Sequence, residues 1–240
     1  MTTMPKSPEF GDLYYRKFGR NADVGSGDVP EDIWEGGGVY SFPATGGVVS
    51  LVSDDAQDDK GTPGTGAHTI WLEGLSATDW TLQQEEVDLD GVNPVTSTKS
   101  FIRLFRMRVV AAGTYETNVG TITASIGGSP VAIISPDFGQ TLMAVFTIPA
   151  DFRVAYLIGW YAGILRRHLA CSAELGLYAR PFGEGWQNKE LISVNNAVAW
   201  DSDIPERSVE LLPKTDLRVA ATYVSADMGV YAGFDLHMLV

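Results

Sequence analysis

The residues best equipped to do chemistry in this chain are its acids, and four of them fall together: Asp54, Asp55, Asp58 and Asp59 in the loop SDDAQDDKGTPGTG. Oxygen donors at that density are what a hard cation such as calcium takes, and Gly61, Gly64 and Gly66 would let the loop bend around it. The spacing is not that of an EF-hand, which alternates its ligands, turns on a glycine and closes on a distant glutamate. A solvated loop joining two strands is therefore the preferred reading, with no metal or cofactor expected. A second acidic stretch, NADVGSGDVPEDIWEGGG, carries Asp23, Asp28, Glu31 and Asp32. Its Asp and Gly read as turn formers, supplying side-chain caps and positive φ angles.

Nucleophilic hydrolysis needs a serine or cysteine activated by a histidine, and the histidines are His68, His168 and His237, all in or beside strand-like runs. The single Cys171 sits in the apolar text HLACSAELGL, which suits a small buried hydrophobe and leaves no partner for an intrachain disulfide. No Gly-x-Ser-x-Gly elbow, P-loop or His-Glu-x-x-His pattern is present. Trp71, Trp80, Trp160, Trp186 and Trp200 suit core or interface anchoring ahead of sugar stacking. Arginines cluster at Arg103, Arg106 and Arg108 and at Arg166 with Arg167, yet the net charge of −13 repels a phosphate backbone. The expectation is a protein that is not an enzyme and has no nucleic-acid partner. No apolar run reaches membrane-spanning length, and the start MTTMPKSPEFGD lacks a signal peptide's basic and apolar regions, so synthesis in a cytoplasm is expected.

The elements that must position these residues read as strands. With 45% hydrophobic and 20% charged residues, the 240-residue chain has the composition of an ordinary globular protein. VYSF, VVSLVS, HTIWLEGL, WTLQQEEVDL and KSFIRLFRMRVVAA are β-branched or aromatic runs bounded by Gly, Pro, Asp or Ser. In HTIWLEGL, His68, Ile70 and Leu72 alternate with Thr69, Trp71 and Glu73, a strand with one face drier than the other. From Phe101 the run places Phe101, Arg103, Phe105 and Met107 on one face and Ile102, Leu104, Arg106 and Arg108 on the other, as in a central strand covered on both sides. RVAYLIGWYAGIL favours a long strand over a helix. In the final run Val230, Ala232, Phe234, Leu236, Met238 and Val240 share a face, so the C-terminus belongs inside a sheet.

This pattern predicts an all-β fold, an antiparallel β-sandwich or jelly-roll, either one large unit or two packed halves. The regions expected are an extended N-terminal arm over 1–38, a first sandwich region over 39–135 and a second over 136–240. The arm shows no sustained period, but Phe10, Tyr14, Tyr15, Phe18 and Trp34 are too many aromatics for a bare tail, since burial stabilises each by roughly 1.5–3 kcal/mol. They are assigned to an interface with a neighbouring subunit. Truncating Met1 to Gly38 is then expected to abolish binding to that neighbour while the sandwich still folds.

GRNADV leading to EDIWEGGGVYSFP, then SDDAQD and GTGAHTIWLEGL, resemble a family of virion structural proteins of tailed phages of aquatic bacteria. So do GQTLMAVFTIPADFRVAYLIGWYA, ARPFGEGW, LLPKTDLRV and SADMGVYAGFDLHMLV, and together these stretches cover most of the chain. The family's second motif begins with phenylalanine where this chain has Leu212. The resemblance implies a β-rich particle protein located in the virion, supplies no catalytic residue, and suggests capsid decoration or cementing. The partners expected are further copies of the chain, as a trimer, and the major capsid protein or another virion protein. The alternatives are a tail, head-fibre or receptor-binding component, and a carbohydrate-binding or carbohydrate-active sandwich, which would need paired carboxylates in a cleft.

Overall fold

Short β-branched and aromatic runs separated by glycine and aspartate turns leave the backbone extended almost throughout. The computed structural model describes residues 12–62, 64–165, 171–195, 200–203 and 209–240, and every regular element among them is a strand. In chain order these are β1 (Leu13–Val24), β2 (Glu31–Asp32), β3 (Gly47–Ser53), β4 (Ala67–Ser76), β5 (Leu82–Asp88), β6 (Val95–Ala112), β7 (Ile122–Ile126) and β8 (Ser129–Ile134). They continue as β9 (Val145–Thr147), β10 (Val154–Ile164), β11 (Ser172–Arg180), β12 (Gln187–Asn195), β13 (Trp200–Asp203), β14 (Val209–Leu211), β15 (Asp216–Val224) and β16 (Met228–Leu239). Every pairing is antiparallel.

Among the described residues these strands form three sheets. The first runs β1-β16-β10-β13 with β14 also on β10, and the second runs β12-β11-β15-β2 with β9 also on β15. The third, β5-β4-β6-β3-β7-β8, is built from the contiguous stretch between β2 and β9. Its β7–β8 hairpin turns on Gly127 and Gly128, whose φ of 59° and 82° meet the two positive angles of a tight two-residue turn. β8 returns against β6, so this sheet curls over its own apolar face.

The described residues form two cores. The first lies between the first two sheets, where Leu157, Trp160, Phe234 and Leu236 face Leu175, Leu177, Leu217 and Val219, all fully buried or nearly so. β16 follows the expected alternation from Val230 to Met238, and its place between β1 and β10 explains why it remains regular almost to the end of the chain. The second core lies inside the curled sheet, around Leu51, Ile70, Leu72, Phe101, Leu104 and Met107, and is closed by Trp34, Tyr40 and Met143.

Strict alternation fails along β6. Its register against β4 slips so that Ile102 and Phe105 are each an extra residue, two β-bulges within four positions. Each bulge shifts the phase by one. Phe101, Leu104 and Met107 therefore enter the curled sheet's core, while Ile102 and Phe105 turn into the sandwich core. One strand thus feeds both cores. In β4 the two faces are equally dry, because Trp71 lies beneath the Arg108 guanidinium at 4.2 Å and Glu73 is buried with hydrogen-bond partners.

The segment 1–38, expected as an arm for a neighbour, is extended from Leu13, but its partner is the chain's own last strand. Tyr15 stacks on Phe146 at 4.6 Å and Trp34 packs edge-on against Tyr40 at 5.1 Å, so both belong to this chain's cores and not to an interface between copies. The strand is hidden in the sequence because its inward positions are Tyr15, Lys17, Gly19 and Asn21, two of them polar. Gly19 is required there: a Cβ would stand 2.3 Å from both Ala144 N and Ile33 O. Tyr14, 69% exposed, and the half-buried Phe18 lie on the outer face, and Phe10 lies outside the described residues. Removing residues 1–38 is now expected to abolish cooperative unfolding and near-ultraviolet circular dichroism, since it deletes an edge strand and side chains of both cores.

Candidate interaction surface

β15 alternates so that Leu217 and Val219 enter the sandwich core while Asp216 and Arg218 lie on the opposite face, where both are largely covered. Register then does the rest: Arg180 of β11 stands directly opposite Asp216, Tyr178 opposite Arg218, and Thr147 of β9 opposite Asp216 from the other side. From the curled sheet Arg103 reaches across and grips the same carboxylate with two parallel bonds, Nε to Oδ1 at 3.0 Å and Nη2 to Oδ2 at 3.1 Å. Arg180 adds Nη2 to Oδ2 at 2.6 Å, and Thr147 donates to Oδ1 at 2.6 Å. The remaining Arg103 nitrogen donates to the carbonyls of Ile102 and Pro43. Arg218 donates to Asp32 at 3.1 Å, and Asp32 also accepts from Tyr40 N at 2.7 Å. Burial raises the Asp32 pKa, with Arg218 and that backbone bond opposing the rise.

Aromatic rings separate these cations. Arg103 lies over Trp80 (4.9 Å) and Phe42 (5.3 Å), Arg180 over Phe42 (5.3 Å) and Trp186 (4.7 Å), and Arg218 over Trp186 (4.4 Å) and Tyr178 (5.5 Å). Lys214 closes the row above Trp80 (5.5 Å) and Phe182 (5.4 Å), whose rings meet edge-on at 5.6 Å. Each such contact stabilises by about 0.5–2 kcal/mol depending on how far water is excluded. The inner end of this ladder is dry and ties the sandwich to the curled sheet. The outer end is open to solvent, with Phe182 66% and Leu212 58% exposed.

The ladder was partly legible. Arg180, Phe182 and Trp186 fall in ARPFGEGW, and Lys214, Asp216 and Arg218 in LLPKTDLRV, where they alternate as one polar face of a strand. Nothing local links them to Phe42, Trp80 or Arg103.

The four aspartates, candidates for a cation but read as part of a solvated loop, accept hydrogen bonds from the chain itself. Asp58 is fully buried, and its carboxylate accepts from Ala67 N (2.8 Å), Val119 N (2.8 Å), Gly120 N (2.9 Å) and Ser53 Oγ (2.7 Å). Asp54 accepts from Thr121 N at 2.6 Å, Asp55 from Gln57 N at 2.8 Å, and Asp59 from Gly61 N. These oxygens hold loop backbone, and no group of three or more metal-ligating side chains gathers among the described residues. Melting in excess chelator is expected to match melting in added calcium within error.

A buried polar group joins β1 to the curled sheet. Tyr15 donates to Glu73, which also accepts from Gln84 Nε2 at 3.1 Å, and Lys17, 2% exposed, donates to the Phe105 carbonyl. Burial pushes the Lys17 pKa well down, the Arg106 charge lowers it further, and Glu73 opposes both. Burial, reinforced by Glu73, raises the Tyr15 pKa. For Lys17 the unfolded chain holds its proton to higher pH than the folded one, so stability should rise as pH climbs from the lowered value towards the ordinary lysine pKa of about 10.4. Lys17→Met is expected to remove that rise and to increase the urea midpoint at neutral pH, read by titrating unfolding between pH 7 and 10. The Tyr15 contribution has the opposite sense, being full below pH 10 and lost above it.

Among the remaining candidates, His237 stacks flat on Tyr14 at 4.4 Å and meets Asp12 at 3.0 Å, while His68 Nε2 contacts Gly64 O at 2.7 Å. Cys171 and Trp160 are buried in the sandwich core. His168, Arg166, Arg167 and the side chain of Trp200 lie outside the described residues.

No protein-family model matches this chain, and no curated protein matches it. Among solved structures, the VP2 subviral particle of infectious bursal disease virus aligns with 99% of this chain and 74% of its own, at 8% identity and a TM-score of 0.20. The structure of the Gt strain of the same virus aligns with 99% and 83%, at 7% identity and a TM-score of 0.13. Superpositions that poor establish neither a common fold nor a common role.

Proposed function

We propose that this chain is a structural protein of a tailed-phage virion, a decoration or cement subunit that stabilises the shell through contacts between copies and with the major capsid protein. One observation carries the assembly part of this reading. The ion pairs buried in the fold are spent tying its own sheets together, while Tyr14, Phe182, Leu191, Leu212 and Tyr223 stand more than half exposed on a strongly acidic chain. Large apolar side chains left in water on strands and on the turns that follow them suit surfaces that another protein covers. The phage setting rests on the resemblance of the stretches that run from GRNADV to SADMGVYAGFDLHMLV. Contact through a long N-terminal arm is dropped from the proposal, because residues 12–38 are committed to the fold itself.

Purified particles of the phage that encodes this chain provide the test. Imaging at a resolution that traces backbone is expected to find it on the shell in symmetric groups. Particles complete without it would overturn the proposal, as would turnover of a substrate that is lost when one acid or histidine is replaced.

A further inference from the structure

The first sheet puts one face on the sandwich core, and no described strand packs over the other. Register lays that outer face out in rows. Tyr14 of β1 and Tyr156 of β10 flank His237 of β16, Arg16 stands opposite Asp235 in the next row, and Phe18 and Tyr161 flank Gly233 in the one after. Tyr231 follows, between Arg20 and Gly163. Tyr14 and His237 are stacked face to face at 4.4 Å, so both rings stand off the sheet as a ridge. Tyr161 and Tyr231 instead recline across glycines. A Cβ on Gly233 would stand 2.4 Å from the Tyr161 hydroxyl, and one on Gly163 would stand 2.4 Å from the Tyr231 ring. The result is a tyrosine-rich surface, with Tyr14 69% exposed and Tyr156, Tyr161 and Tyr231 partly so.

Residues 1–11 lie outside the described residues and join this face at Asp12, whose carboxylate meets His237 at 3.0 Å. Their sequence is MTTMPKSPEFG, with Pro5 and Pro8 in a Pro-x-x-Pro spacing. We propose that this segment folds back as a polyproline II strap across the row Tyr14, His237 and Tyr156, with Pro8 against Tyr14 and Pro5 against Tyr156. The spacings agree. Tyr14 and Tyr156 each lie one strand from β16 and so stand about 9.6 Å apart. Pro5 and Pro8 are about 9.3 Å apart in polyproline II. Reach also suffices: Pro8 precedes Asp12 by at most about 14 Å of chain, Tyr14 follows it by about 7 Å, and Gly11 supplies the reversal. A Pro-rich segment docks on aromatic rings at low entropic cost because its extended shape is preformed. Charge agrees at the rim, where Glu210 opposite Tyr156 is exposed with no cationic partner among the described residues, and Lys6 adjoins Pro5. The tether gives the chain's own segment an effective concentration of about 1 mM, which favours it over a second copy. The inference goes beyond the virion reading and does not depend on it. It takes Tyr14 from the exposed residues left for a partner and leaves Phe182, Leu191, Leu212 and Tyr223.

Tyrosine nitration and trypsin cleavage after Lys6 test this on the full chain, with folding of every variant checked by its melt. In Pro5→Ser with Pro8→Ser, nitration of Tyr14 and Tyr156 should run about tenfold faster than in the parent, the factor for a contact open about a tenth of the time. Cleavage after Lys6 should accelerate equally. Tyr223 on the second sheet, 53% exposed, is the reference and should react alike in both. Tyr14→Ser with Tyr156→Ser should release Lys6 to trypsin as the proline variant does. If that pair fails to fold, Tyr14→Ser alone replaces it, with a smaller acceleration expected. A parent whose Tyr14 and Tyr156 already react as fast as in the proline variant would overturn the strap, as would cleavage after Lys6 that ignores both pairs of substitutions. So would protection that is lost on dilution in a parent that sediments as more than one chain, since the segment would then belong to a second copy. Particle composition is a separate readout: a chain found in virions with no protection at Lys6 retains its structural role and loses the strap.

Discussion

Asp216→Ala is expected to destabilise the protein by about 3–5 kcal/mol, the range for removing one partner of a buried ion pair. The reason is what it leaves behind. Arg103 is almost wholly buried and, once its fork to Asp216 is gone, retains only the carbonyls of Ile102 and Pro43 as acceptors. Arg180 and Thr147 lose their acceptor at the same time. In a chain of this size the loss corresponds to a fall in melting temperature of about 10 °C, and urea unfolding should show the midpoint drop. The companion Arg103→Met with Asp216→Leu should recover much of it, because a buried pair replaced by apolar groups of similar volume is often no less stable than the pair. A loss below about 1 kcal/mol in the single variant, the size of an exposed pair, would show that this carboxylate is not desolvated.

Asp58→Ala is the second large effect, expected near 4 kcal/mol, with each of several buried donors left unpaired at about 1–3 kcal/mol before the loops relax. Three of the four donors are backbone amides, one at the start of β4 and two in the segment Val119–Gly120, so the side chain clamps the acidic loop to both. Asp58→Asn should fall between parent and alanine, since one oxygen still accepts while the amide nitrogen faces donors. If alanine and asparagine behaved alike, the carboxylate's second oxygen would carry no weight. Proteolysis should localise the alanine defect to the loop between β3 and β4 before the sandwich opens.

These two residues show how the sequence reading and the structure divide. Asp58 was singled out by its density of neighbouring acids, and its burial was invisible because nothing in SDDAQDDK distinguishes the one aspartate that turns inward. Asp216 lies in a stretch whose alternation was plain, but its partner Arg103 stands 113 residues away, and no local pattern joins two strands that distant. Lys17 misled in the other direction. A charged residue on the inward face breaks the apolar period of β1, so the strand reads as an arm.

What the sequence determined by itself was everything that depends on period and turn chemistry. The all-strand character, the long strand at β10, the hairpin from β4 to β5 and the regular final strand follow from apolar residues at every second position between glycine, proline and aspartate breaks. Only the tertiary structure decided which polar residues go inside, because burying Lys17, Glu73, Arg103 or Asp216 is tolerable solely where distant strands deliver a hydrogen-bonding partner. It also decided how β6 serves two cores, since each bulge moves the side chains by one position, and that phase is set by the strand lying alongside.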